Sequence, residues 1–222
     1  MSKLTHALHR VGRFYAALLR DPGGVAFIEF AYTLPFMMIL GLGGIELANY
    51  SIMHMRVSQL AVSLADNASR AKQDVVSGVP RMREYDVNEA FTAAELQSGA
   101  LDIAHNGRLI LSSLEVNSDG GQWIHWQRCF GDKPFTSSFG VEGDGDTGTS
   151  FPGMGPSGRQ VKAEPGYAIM FAEVVYLYKP LIFDRFISEN PIRKIAAMYV
   201  RDDRDLSAIY NPAPTAPVNS CS

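Results

Sequence analysis

The 222-residue sequence has two cysteines, no strong charge of either sign and, outside one stretch, no long apolar run. Twenty Lys and Arg against 23 Asp and Glu leave a net charge of −3. A nucleic-acid partner is not expected, because there is no basic footprint to neutralise phosphates. The sequence contains no GxSxG elbow and no GxxxxGK[ST] loop, so hydrolase and nucleotide chemistry have no foothold. Its five histidines, His6, His9, His54, His105 and His125, lack metal-ligand spacing. No metal, cofactor or enzymatic activity is expected, and His125 between Trp123 and Trp126 reads as a strand residue. A disordered chain is excluded by 46% hydrophobic and 19% charged residues, which leave room for one domain of moderate size.

The apolar excess is concentrated between Val25 and Ala48, VAFIEFAYTLPFMMILGLGGIELA, whose only charged side chains are Glu29 and Glu46. As a helix, these residues rise about 1.5 Å each and span roughly 36 Å, enough for a hydrocarbon core of about 30 Å. A buried core helix would carry one apolar stripe, whereas Phe30 to Ile45 is apolar all round. One membrane crossing is expected. Residues 1–24 carry Lys3, Arg10, Arg13 and Arg20 against Asp21, so the amino end is expected to remain cytoplasmic and the acidic remainder to lie outside.

Glu29 stands just inside the lipid edge, where an unpaired carboxylate costs about 2 to 3 kcal/mol if it goes deep. It either snorkels to the headgroups or meets a cation. A cut after Gly24 would expose the amine of Val25, four residues from Glu29, as a partner for the carboxylate of a neighbouring copy. Pro35 removes an amide donor, and a kink or short unwound stretch is expected there. Gly41, Gly43 and Gly44 offer a small-residue surface for a neighbouring helix, although glycine is common in membrane helices generally.

The stretch GGVAFIEFAYTLPFMMILGLGGIELANY resembles the amino-terminal hallmark of TadE-like proteins, minor pilins or pseudopilins of the tight-adherence (Tad) pilus system. In that family a basic leader ends in glycine. A short apolar stretch, Glu-Phe or Glu-Tyr, a proline-containing apolar span and a second glutamate follow. Gly24, Glu29, Phe30, Pro35 and Glu46 occupy those positions. The resemblance covers residues 20–60. It implies cleavage by a prepilin peptidase between Gly24 and Val25 and an assembly role for Glu29 and Phe30. Implied partners are other pilin subunits, a paralogous pseudopilin and the Tad inner-membrane platform. The implied location is the bacterial inner membrane with a periplasmic head, or an extracellular pilus. An uncleaved anchor whose head binds a periplasmic partner is the alternative.

Beyond Tyr50 the apolar pattern narrows to a stripe (Ile52, Met55, Leu60, Ala61, Val62, Leu64, Ala65, Ala68), which predicts that the membrane helix continues into water as a spine over 49–80. Its end is expected between Val76 and Pro80. Asp86 with Glu89 reads as a capping box opening a second helix that ends at Asn106 and Gly107. Strands are predicted at Leu109–Val116, Trp123–Phe130, Tyr167–Tyr178 and Lys194–Val200, with Ser118–Gly121 as a hairpin turn. The expected fold is α+β, pilin-like, with a head over 81–210 whose antiparallel sheet lays one face on the helices. Leu181 to Ile187, between Pro180 and Pro191, is expected to form a short helix.

Residues 131–166 are rich in Gly, Pro, Ser and Asp and predict a flexible excursion. Gly143 to Gly148 formally satisfies GxGxxG, but no strand feeds it and no helix follows, so it reads as an acidic turn. Residues 211–222, with Pro212, Pro214 and Pro217, are expected to be extended and loosely held. Cys129 and Cys221 are expected outside the cytoplasm, where a disulfide would pin that tail across the sheet. The alternative is a buried Cys129 and a free Cys221.

Overall fold

The computed structural model describes residues 16–17, 22–72, 78–182 and 190–221. Most of the basic leader and most of the Leu181–Ile187 segment lie outside the described residues. The chain divides into two compact units, Met1–Asn49 and Tyr50–Ser222. It is an α+β protein with a long apolar amino-terminal helix and a small antiparallel sheet.

Helix α1 runs from Pro22 to Arg70 without interruption and contains Pro35. The unwound stretch expected there is absent. Proline costs the helix one amide bond, which lipid-spanning helices absorb by local adjustment. Two residues before Pro35, the Thr33 hydroxyl donates to the Phe30 carbonyl at 3.2 Å.

In the second unit α1 becomes one-sided. Val57, Leu60, Ala61, Leu64, Ala65 and Ala68 are buried at helical spacing, while Met55, Gln59 and Val62 face outward. The helix stops at Arg70, earlier than the expected spine end near residue 80. Ser69 and Asp66 explain the stop. The buried Arg204 donates Nη2 to the Ser69 carbonyl at 2.8 Å, satisfying a terminal acceptor. Arg201 and Arg70 both pair with Asp66.

Strand β1, Arg81–Arg83, leads into helix α2, Glu84–Ser98. The cap lies three residues upstream of the sequence expectation. Asp86 sits within the first turn and accepts from the Arg83 backbone amide at 2.9 Å and from its guanidinium at 2.7 and 3.0 Å. The single helix expected to run on to Asn106 is broken into α2, a 3-10 turn at Gly99–Leu101 and a four-residue α3, Ile103–Asn106. The break occurs where Gly99 and Asp102 adopt positive φ, 50° and 48°.

Four strands, β2 (Gly107–Val116), β3 (Gln122–Phe130), β4 (Ile169–Tyr178) and β5 (Asn190–Tyr199), form an antiparallel sheet in the order β3-β2-β4-β5. β5 begins four residues before the expected Lys194. A sixth strand, β6 (Asp205–Tyr210), pairs parallel with β1 in a separate two-stranded sheet that the sequence reading missed.

Both faces of the main sheet are covered, not one. Leu109, Leu111, Trp126, Met170, Ala172 and Val174 join α1 and α2 in the larger core. Leu114, Ile124, Ile169 and Phe171 form a second core with Met154 and Ala163 of the long excursion. Burial on two sides accounts for the nearly continuous apolar run of β4. Ser113 pairs with Trp126 and Leu114 with Ile124, which leaves His125 as an extra residue in β3. This irregularity puts Ile124 and Trp126 in different cores two positions apart.

The excursion over 131–166 is fastened along its length. Asn117, at the β2–β3 turn, donates to the carbonyls of Gly145 and Gly148, both at 2.7 Å, and accepts from the amides of Asp119 and Gly121. Gly145 has φ 78°, and a Cβ there would lie 2.2 Å from the Gln122 carbonyl oxygen. The GxGxxG stretch is therefore a packed turn against β3.

Candidate functional site

The candidate residues on α1 fall into an exposed group and one buried residue. Val25 and Phe30 are each 58% exposed, and Glu29 is exposed with them. Phe27, Phe36, Met37, Ile39 and Leu40 are exposed on every side of the helix. The window is long and apolar enough to cross a membrane, and none of it is buried by the chain itself. Exposed apolar surfaces of this extent are of the kind that lipid or protein partners cover.

Gly24, Gly41 and Gly44 have nothing within 4 Å of where a Cβ would stand. Their surroundings are open, and a neighbouring backbone can approach them closely. Glu46, by contrast, is only 6% exposed. The two glutamates of the apolar span therefore have different environments: Glu29 presents its carboxylate outward, and Glu46 is withdrawn.

The outward face of α1 carries a further pattern. Ile52, Met55, Gln59 and Val62 follow a three-four spacing and are exposed. The same spacing reads back through Ala48, Ile45, Gly41, Met38 and Leu34 in the sequence. A three-four repeat is the seam by which one helix packs along another. The sequence contained this signal, but the inward stripe on the same helix masked it until burial separated the two faces.

Cys129 and Cys221 are joined by a disulfide, with Cα atoms 4.9 Å apart. The tail expected to be loose is held at several points. Asn219 accepts from the Cys129 amide at 2.8 Å, Asn88 donates to the Pro217 carbonyl at 2.9 Å, and Asn219 donates to Asn88 at 2.8 Å. The tail thus lies along β3, an edge strand. Farther along the same edge, Ile124 exchanges backbone bonds with Gly143 and Asp144 at 2.9 Å. The amide of Gln127 reaches the Glu142 carboxylate at 3.0 Å.

The head is stitched together by buried charge. Arg128 on β3 grips Glu84 at the start of α2 and reaches Glu142 of the excursion at 2.9 Å. Burial works against the Arg128 charge, but Glu84 and Glu142 prevail and raise its pKa. On the other side, Glu173 is buried beneath Arg193 and accepts from the Ser138 amide at 3.3 Å. Burial lowers the pKa of Arg193.

His125 Nδ1 lies 3.0 Å from Glu115, whose other oxygen accepts from Ser113 at 2.6 Å, and its ring stacks on Trp123. Ser113 is completely buried and bonds the carboxylate rather than the imidazole, so this trio has no nucleophile-base contact. Among the described residues no group of three or more His, Cys, Asp or Glu side chains is arranged to hold a metal ion. Comparison with protein-family models, curated proteins and solved structures returns no match for this chain.

Proposed function

We propose that this chain is a TadE-like minor pilin or pseudopilin, a non-enzymatic subunit that acts in the assembly or initiation of a Tad-type adhesion pilus. The observation that carries the reading is α1 itself. One helix is exposed and apolar on all sides from Val25 to Leu40, with Glu29 as its outward carboxylate, and is buried along one stripe from Val57 to Ala68. Such a helix is suited to leave a membrane and enter a bundle of like helices while carrying a folded head.

In this reading the amino end is cytoplasmic and the head periplasmic, in a bacterial inner membrane, before extraction into a fibre. Cleavage after Gly24 frees the Val25 amine. The Glu29 carboxylate then pairs with the amine of a neighbouring subunit, offsetting the desolvation of both charges. A misregistered subunit leaves Glu29 unpaired in an apolar bundle, and that penalty selects correct assembly. Ile52, Met55 and Val62 extend the packing surface beyond the lipid.

Replacing Glu29 by Gln or Ala tests the role. Pilus assembly is expected to fail while membrane insertion and head folding remain normal. Unchanged assembly by both variants removes Glu29 from the mechanism.

One observation favours a second reading, an uncleaved single-pass scaffold or surface-adhesion protein that binds a periplasmic partner. α1 already begins at Pro22, so the Gly24–Val25 bond lies in its first turn. A peptidase would have to unwind that turn.

A further inference from the structure

The two edges of the main sheet are treated differently. The outward side of β3 is covered by the tail at Cys129 and by the excursion at Ile124 and Gln127. Among the described residues β5, the opposite edge, pairs only with β4. The Val200 amide donates to the Ala168 carbonyl at 3.0 Å, which fixes the direction of every peptide group in β5. Strand geometry then turns the amides and carbonyls of Arg193, Ile195, Ala197 and Tyr199 away from the sheet. Among the described residues none of these outward backbone groups has a partner. Pro191 occupies the preceding outward position, where its missing N–H costs nothing.

Edge strands are usually protected by charge, by proline or by a covering segment. Here Arg193 is drawn back onto Glu173 and the Thr136 carbonyl. Lys194 has no carboxylate partner among the described residues, and Ile195 to Tyr199 is uncharged. On the helix side of this edge, Met198 lines a shallow groove of about 430 Å³ with Ser58, Gln59, Val62, Ser63 and Asp66.

We infer that β5 is a docking edge for an extended segment of a partner protein, which adds as an antiparallel fifth strand. Its recognition chemistry follows from register. Residues opposite Met198 and Ala196 share the face bearing the groove and should be apolar. The residue opposite Lys194 should be acidic, since facing opposite charges stabilise a strand pair. A second copy of β5 does not meet this pattern, because it offers lysine and no acid. The main-chain bonds supply affinity and the alternate side chains supply selectivity. The main-chain recognition in this inference rests on β5 itself, while the groove shares Gln59 and Val62 with the outward face of α1.

The test uses the full-length chain in lipid nanodiscs and the labelled peptide Ac-TVTVTET-NH2. In antiparallel addition, its valines fall opposite Met198 and Ala196 and its glutamate opposite Lys194. Saturable binding is expected, with slowed amide exchange at Arg193, Ile195, Ala197 and Tyr199. Exchanging the peptide glutamate for lysine should weaken binding about tenfold. Lys194→Glu should reverse that preference. Ala197→Pro removes an outward N–H and should abolish binding without altering thermal unfolding. If that variant misfolds, a peptide N-methylated at the threonines facing β5 must fail to bind the wild-type chain. Absence of saturable binding, equal binding of both charge forms, or protection elsewhere on the chain overturns the inference.

Discussion

The Arg128 guanidinium meets the Glu84 carboxylate through Nε at 3.0 and 3.1 Å and through Nη2 at 2.6 Å, with both side chains buried. The pair joins the start of α2 to the edge strand β3. Removing Arg128 leaves Glu84 charged and dry, and removing Glu84 leaves Arg128 with the half-exposed Glu142 as its remaining carboxylate. Arg128→Met or Glu84→Gln is therefore expected to destabilise the head by about 3 to 5 kcal/mol, whereas replacing both by apolar residues should recover much of the loss. Urea unfolding followed by Trp123 and Trp126 fluorescence checks this. Additive losses in the double variant would contradict the pairing.

The Cys129–Cys221 bond joins residues 92 positions apart. Closing a loop of that length restricts the unfolded chain, and the entropy model gives about 4 kcal/mol. The replacement Cys221→Ser should lower head stability by that order and speed proteolysis of residues 211–221. A loss below about 1 kcal/mol would mean that the tail's hydrogen bonds hold it without the bond.

Acid sensitivity is expected from Asp202. Its burial pushes the pKa up, but Lys72 and Arg204 overcome that effect and hold it below the ordinary value. A depressed carboxylate contributes stability that is fully present above its unfolded pKa. That contribution is lost as pH falls through the lower folded value. The loss should therefore develop below about pH 4. Denaturation at pH 6 and pH 3 should show a smaller pH dependence in Asp202→Asn than in the wild-type head. Parallel curves would remove Asp202 from the acid response.

Much of this architecture was legible from local pattern. The apolar run of α1 and the strand-forming residues of β2 and β3 are local in the sequence, and two cysteines permit one pairing, whereas the irregularity at His125 breaks the simple alternation of β3. What escaped depends on distant partners. Arg83 is an unconventional helix neighbour, and its role emerges only from the bonds it makes to Asp86. β1 and β6 are short segments more than a hundred residues apart, and neither has a period to read. The excursion looked flexible because its glycines and prolines dominate its composition. Its fastening to Asn117 and its apolar contribution through Met154 require the folded sheet. On α1, the Glu29 position was legible, whereas the outward Met55 and Val62 merged with the inward stripe.

The central functional claim is assembly through a processed amino-terminal helix, and the identity of the mature amino terminus tests it most directly. Intact mass and amino-terminal sequence should be measured on protein recovered from membranes with and without the prepilin peptidase. The account predicts a chain beginning at Val25 only when the peptidase is present. A full-length chain under both conditions would contradict it and would identify a permanent anchor.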